Sequence, residues 1–303
     1  MLSILIPTYN YTIYPLVLEL HKQCAGLGIA FEIIAMDDAS TIAAAENEKI
    51  NTLEYCYYEI LSNNIGRSKI RNLLAGRANY NWLLFLDADV FPKNKDFISN
   101  YINHLDNDVK LVNGGLVYPD EKPEKSKLFR WLYGKNREAL DYRIRQKNPY
   151  LSSLSLNFII HKSIFEKVSF NETIPNLRHE DTLFSYSLKK ENIQIKHINN
   201  PVYHYGMDDF EVAIRKENES LHALKHLIDT QLLPPDYVRL SRLLLKIHKI
   251  HLLSAVAFFH KITASLFLKN LGGNRPFLFI FDLYRLCYLC QLEKEQKGYI
   301  STR

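Results

Sequence analysis

Cysteine is scarce. The four residues in 303, at positions 24, 56, 287 and 290, supply no disulfide framework. Cys287 and Cys290 form a CxxC, but no second pair or nearby histidine cluster completes a zinc site; a buried i,i+3 pair on an apolar helix is expected. Glycine and proline are also sparse, 11 of each, and with 47% hydrophobic and 23% charged residues they exclude disorder and collagen-like repeats. Long apolar runs are missing. The longest stretch of the tail without Asp, Glu, Lys or Arg covers residues 250–260, well short of the ~20 that a spanning helix needs. The start, Met-Leu-Ser-Ile-Leu-Ile-Pro, lacks the charged and long apolar regions of a secretory signal. The expected location is cytoplasmic, either free or peripheral on the inner face of the plasma membrane.

Charge is present but uneven. Residues 234–303 hold eleven Lys and Arg against four Asp and Glu, a net of +7 within a total of +5, so the preceding residues are mildly acidic. A basic end points to an anionic partner.

Short apolar runs at 2–6, 31–36, 55–61, 82–86 and 109–117 alternate with helical patterns such as 15–24 and 68–78. Fully apolar strands between helices predict a buried, mostly parallel α/β sheet, whose ligands bind beyond the carboxyl ends of the strands. Three of those ends are polar: Pro7-Thr8-Tyr9-Asn10, Asp37-Asp38-Ala39-Ser40-Thr41 and Asp87-Ala88-Asp89. Acidic groups gathered at one crevice repel one another unless a cation or donor groups intervene. Asp87 and Asp89, between apolar flanks, suit Mg²⁺ or Mn²⁺ bridging to substrate phosphates; turn formation or helix capping is the alternative, and it is the preferred one for Ser40 and Thr41. Beyond Gly66 a helix begins with Arg67, Lys69 and Arg71 in its first turns, where cations oppose the helix dipole. A diphosphate would satisfy both the cations and the helix terminus, and Arg71 is the candidate contact.

Taken together, Ile-Pro-Thr-Tyr-Asn, Asp37-Asp38-x-Ser-Thr, Gly66-x-x-x-x-Arg71-Asn72, Phe85-Leu86-Asp87-Ala88-Asp89, His179-Glu180-Asp181-Thr182-Leu183-Phe184 and Asn200-Pro201-Val202-Tyr203-His204-Tyr205 resemble a family 2 glycosyltransferase. The likeness covers the first 205 residues. It implies the GT-A fold, a Rossmann-like mixed sheet flanked by helices, over residues 1–209, with 210–303 as a helical, basic extension. It also implies transfer of a sugar from a nucleotide-sugar donor, with a UDP-sugar first in line, to an acceptor hydroxyl with inversion. By this resemblance Pro7, Thr8, Tyr9 and Asp38 would hold the nucleoside, Arg71 the base or phosphates, and Asp87 the ribose and metal. Asp89 would bind the divalent cation and His204 would complete its shell, the imidazole favouring Mn²⁺ over Mg²⁺. Asp181 would be the general base and Glu180 would orient the acceptor; a helix N-cap is the competing reading of this acidic pair.

Ala39 stands where many members of the family have glycine. No Gln-x-x-Arg-Trp follows the acidic pair, so single-sugar transfer is expected rather than processive synthesis, with a saccharide or lipid-linked acceptor in polysaccharide, lipopolysaccharide or glycolipid assembly. Residues 124–150 fall where acceptor-binding segments lie in this fold, or form a simple surface helix. In the tail, Arg239, Arg242, Lys246 and Lys249 make a cationic stripe beside an apolar face of Leu240, Leu243, Leu244, Ile247 and Ile250. Residues 234–303 either pack on the catalytic domain or meet a membrane surface. Nucleic acid is not an expected partner, because no recognised module is present. A non-catalytic, membrane-associated adaptor that keeps the fold is the alternative function.

Overall fold

The apolar runs at 2–6, 31–36 and 82–86 become the centre of a seven-stranded sheet in the computed structural model, which describes residues 1–42, 44–105, 109–174 and 178–301. Arg303 and the side chain of Lys297, both counted in the basic tail, lie outside the described residues. The strands in chain order are β1 (Leu2–Thr8), β2 (Phe31–Asp37), β3 (Cys56–Ile60), β4 (Trp82–Leu86), β5 (Val90–Pro92), β6 (Leu111–Asn113), β7 (Leu116–Val117), β8 (Asn157–His161), β9 (Lys196–His197) and β10 (Val202–His204).

The large sheet runs β3-β2-β1-β4-β8-β6-β9. β1 pairs in parallel with β2 and β4, and β2 with β3, so the carboxyl ends of these strands share one edge. The large sheet is mostly parallel, as expected, with β6 and β9 also paired in parallel; β8 is antiparallel to both β4 and β6, which makes the sheet mixed. The single strand expected over 109–117 is two strands in different sheets, because the chain breaks at Gly114 and Gly115. A Cβ at Gly114 would lie 2.5 Å from the Asn200 carbonyl and the Tyr101 hydroxyl, and Gly115 takes φ +82°. β7 then joins a small sheet in the order β5-β10-β7.

The chain divides into two compact units: Met1–Pro119, Arg137–Asn176 and Glu180–Gly206 form the first, and Asp120–Asn136, Leu177–His179 and Met207–Arg303 the second. In the first, Phe85, Phe158, Phe165, Phe170 and Phe184 pack as an aromatic core, with Phe170 and Phe184 stacked at 4.3 Å. That core anchors helix Glu180–Lys190, which buries Leu183, Phe184 and Leu188.

The second unit is helical, built from Lys125–Tyr133, Phe210–Asp229, Arg239–Lys249, Leu253–Leu271 and Leu278–Ser301. Phe129, Ile214, Leu271, Phe281 and Tyr284 share one core. Leu244 of the cationic helix packs against Leu289 and Cys290, while Ile250, expected on the same face, lies past the helix end and is exposed. Cys287 and Cys290 are buried thiols, and burial pushes Cys290 up to about 12. Among the described residues no single helix is long and apolar enough to cross a membrane. Arg239–Lys249 and Leu253–Leu271 pass that test together but are bent by 119° at their junction.

Candidate active site

The loops after β1 and β2 are tied to each other. The Asn10 N–H donates to Ser40 Oγ at 2.7 Å, and the Asp38 N–H donates to the Thr8 carbonyl at 2.9 Å. Pro7 and Thr8 end β1, with Thr8 buried, while Tyr9 is half exposed at the edge. Asp37 accepts from Ser40 N–H, Ser40 Oγ and Tyr58 hydroxyl, and so fixes its own turn. Within that turn Ala39 sits at φ 57°. This left-handed conformation costs alanine about 1–2 kcal/mol, whereas glycine would add only ~0.4–1 kcal/mol of unfolded-state entropy. Ala39→Gly is therefore expected to stabilise the fold by up to ~1 kcal/mol, read as a higher urea midpoint at unchanged m-value.

Asp38 is buried and already engaged. Its two carboxylate oxygens accept the N–H groups of Ile65 at 2.7 Å and Gly66 at 2.9 Å. One carboxylate of the chain itself thus lies at the start of helix Arg67–Arg77, where negative charge suits the dipole. Any contact from a base would use the remaining lone pairs of Asp38.

Arg71 is buried, and its guanidinium joins two parts of the site. Nη2 donates to Asp87 Oδ1 at 2.8 Å and Nη1 reaches Glu180 Oε1 at 3.4 Å, while the Phe170 ring lies 5.3 Å away. Nε is buried with no hydrogen-bond partner among the described residues. Burial works against the charge on Arg71, but Asp87, Glu180 and Asp181 outweigh it and hold its pKa above the ordinary value. Asp87 is raised, first by desolvation and then by Asp89 and Glu180, against the pull of Arg71. Three carboxylates, Asp87, Glu180 and Asp181, thus act on the Arg71 guanidinium, and Asp89 adds its charge to Asp87.

Asp89 and His204 are 115 positions apart in sequence and meet through the small sheet. β5 pairs antiparallel with β10 so that Val90 opposes His204, and the Tyr205 N–H donates to the Asp89 carbonyl at 2.8 Å. Asp89 Oδ2 lies 3.4 Å from His204 Nε2. The Tyr118 ring meets His204 edge-on at 5.4 Å, and His204 Nδ1 is buried without a partner among the described residues. Gly206 has no side chain where a Cβ would overlap Asp89 Oδ2. Asp87 turns to Arg71 rather than to this pair, and among the described residues no three His, Cys, Asp or Glu side chains converge as a metal cluster.

Glu180 and Asp181 both lie inside the first turn of helix Glu180–Lys190, where negative charge suits the dipole. Asp181 Oδ1 accepts the Thr182 N–H at 2.7 Å. Burial, and next the Glu180 charge, push the Asp181 carboxyl up to about 6.

Some residues of this region carried no sequence signal. Tyr11 borders Asp89: desolvation first, then the charges of Asp89 and Tyr205, raise its phenol. Asn47, fully buried, accepts the Ile13 N–H and donates to the Tyr11 carbonyl, closing the loop after β1. Arg145 belongs to a segment read as surface or acceptor-binding, yet it is buried and donates to the carbonyls of Asn113, Gly114 and Ile198 and to His197 Nδ1. Burial lowers it to about 10. Its role is to hold the strand break at Gly114 and Gly115.

The model of one family, described as glycosyl transferase family 2, matches residues 3–169. The chain belongs to glycosyl transferase family 2. Solved structures with TM-scores above 0.5 agree with the GT-A fold of this glycosyltransferase. A mannosyltransferase of Pyrobaculum calidifontis, PcManGT, in complex with GDP-Man and Mn²⁺ is 15% identical and superposes at a TM-score of 0.56, covering 97% of this chain and 86% of its own. Mannosyl-3-phosphoglycerate synthase of Rubrobacter xylanophilus is 12% identical at a TM-score of 0.53, covering 76% of this chain and 74% of its own. S. aureus TarS 1-349 in complex with UDP-GlcNAc is 16% identical at a TM-score of 0.47, covering 98% and 92%. No curated protein matches the chain.

Proposed function

We propose that this glycosyltransferase moves a single sugar from a nucleoside diphosphate donor to an acceptor hydroxyl with inversion, and that it works with a divalent cation. The observation that carries the reading is the surplus of carboxylates around Arg71. A diphosphate brought to the three carboxylates that act on Arg71, with Asp89 next to Asp87, is repelled unless a cation comes with it.

The donor set fits such a cation. Asp89 and His204 offer one oxygen and one nitrogen 3.4 Å apart, and the Asp89 carboxylate reaches this position only because residue 206 is glycine. Mg²⁺ and Mn²⁺ usually keep most of their positions for water and substrate phosphates, so two protein groups suffice. Resident metal sites give a ligating histidine a partner on its other nitrogen. His204 Nδ1 has none among the described residues, which suits a cation that arrives with the donor and leaves with the product. When bound, the cation would neutralise the charge that builds on the departing diphosphate.

The chain's own residues do the rest. Thr8, Tyr9 and the Asp38 loop form the edge on which the nucleoside would lie, with UDP the first donor moiety to test. Asp181 takes the proton of the acceptor hydroxyl as its oxygen bonds to the anomeric carbon; the bond from that carbon to the diphosphate oxygen breaks, and the diphosphate keeps the electron pair. A carboxylate raised to about 6 is a better proton acceptor than an ordinary aspartate and is still ionised at neutral pH. Glu180, held by Arg71, orients the acceptor, a saccharide or a lipid-linked glycan in envelope polysaccharide or glycolipid synthesis.

Calorimetric titration tests this reading. UDP or GDP is expected to bind the full chain in the presence of Mn²⁺ and to bind Asp89→Asn at least ~10-fold more weakly, a loss of ~1.4 kcal/mol. Absence of binding by the unaltered protein with either nucleotide would overturn the proposal.

A further inference from the structure

Helix Leu253–Leu271 is apolar on two opposite sides. Its inward side, with Ala257, His260 and Leu271, is buried within the helical unit. On the other side Phe258, Ile262 and Leu266 recur at i,i+4,i+8 and are 62%, 59% and 65% exposed, with Phe259 beside them. Phe277 and Phe279, at the start of the next helix, are exposed as well. A helix that is apolar all round is normally covered on every side, and an exposed apolar patch of this kind marks an interaction surface.

The charge around the patch is mainly positive, with Asp236 and Asp282 as the exposed acidic residues that flank it in sequence. Residues 237–281 contain seven Lys and Arg and no Asp or Glu. Arg239, Arg242, Lys246 and Lys249 are exposed along one side of helix Arg239–Lys249, and Lys261 and Lys269 are exposed on the apolar helix itself. None of the seven makes an ion pair with a described residue. Bulky apolar side chains set among unpaired cations match a surface that is hydrocarbon below and anionic above.

We infer that this face docks on the surface of an anionic lipid bilayer, with Phe258, Phe259, Ile262, Leu266, Phe277 and Phe279 entering the headgroup–acyl boundary and the cations meeting lipid phosphates. The helix lies along the interface and does not span it. Lys261 near its middle would otherwise sit deep in hydrocarbon, its inward side is already covered by protein, and the chain bends by 119° before it begins. Lys261 and Lys269 can reach the phosphate level along their own methylene stems. The inference is independent of the donor, the cation and the chemistry proposed for the catalytic unit.

Co-sedimentation of the full chain with vesicles tests it, using phosphatidylcholine alone and phosphatidylcholine mixed with phosphatidylglycerol. The expected result is binding to the mixed vesicles that weakens with salt. Ile262→Ser is expected to weaken it about tenfold, the scale of one buried aliphatic side chain. Lys246→Glu with Lys249→Glu is expected to remove the preference for the anionic lipid. Both variants should keep the far-ultraviolet circular dichroism and urea midpoint of the parent, which separates lost docking from lost folding. Failure of the parent to bind mixed vesicles overturns the inference. So does a dimer that Ile262→Ser converts to monomer without any vesicle binding, which would make a second copy of the chain the occupant. Binding to a polynucleotide in preference to vesicles would overturn it equally.

Discussion

Replacing Asp181 with asparagine is expected to lower sugar transfer by about 10²–10⁴-fold and, in the same variant, to make the folded chain more stable above pH 6. The two effects share one cause. Burial and the neighbouring Glu180 charge push this carboxyl up to about 6 in the fold, while in the unfolded chain it titrates as an ordinary aspartate. Between those two values the folded state binds more protons than the unfolded state, so stability falls as pH rises through the window, and the loss is complete above about 6. An offset of this size is worth ~1–3 kcal/mol. Asparagine keeps the shape and carries no charge. Its stability advantage in urea should therefore be largest near pH 8 and smaller near pH 5, and the parent's rate should climb through about pH 6. Unchanged transfer by Asp181→Asn would remove Asp181 from the chemistry. Lost transfer without the pH-dependent stability gain would mean that the carboxyl is not strained by its surroundings.

Arg71→Met should cost about 3–5 kcal/mol, the scale of breaking a buried ion pair from one side. Methionine fills the space above Phe170 but leaves Asp87 and Glu180 facing each other and Asp181 without a cation. The loss should shrink on acidification as those carboxylates take up protons, a dependence that a simple packing defect would not show. Arg71→Lys is expected to recover little, because one ammonium lacks the two-sided reach of the guanidinium. A loss below ~1 kcal/mol by urea titration would show that the hub does not hold the site together.

The parts of this architecture that could be read from sequence are those governed by local pattern. β1, β2 and β4 are apolar on both faces, so their runs of Ile, Leu and Phe declare them. The helix Arg67–Arg77 declares itself through Gly66 and its periodic apolar side. What escaped depends on pairs far apart in sequence. β8 has only five residues, and nothing in Asn-Phe-Ile-Ile-His says that it enters antiparallel between β4 and β6. The break at Gly114 and Gly115 is set by Arg145, a residue whose type reads as surface and whose six hydrogen bonds within the first unit are visible only in three dimensions.

The site divides in the same way. Asp38, Arg71, Asp87, Asp89, Glu180, Asp181 and His204 were all nameable from motifs. Their partners were not. Helix polarity calls for an anion at the start of helix Arg67–Arg77, while the bonds from the Ile65 and Gly66 N–H groups to Asp38 are visible only in three dimensions. The pairing of Asp87 with Arg71 and the meeting of Asp89 with His204 join residues far apart in sequence.

The most direct test of the proposed chemistry is release of nucleoside diphosphate from a panel of nucleotide sugars incubated with the full chain and Mn²⁺. The expected result is slow turnover of at least one donor by the unaltered protein, abolished by chelation and reduced by at least ~10-fold in Asp89→Asn. Turnover of no donor with either Mn²⁺ or Mg²⁺, or full turnover by Asp89→Asn after chelation, would contradict it.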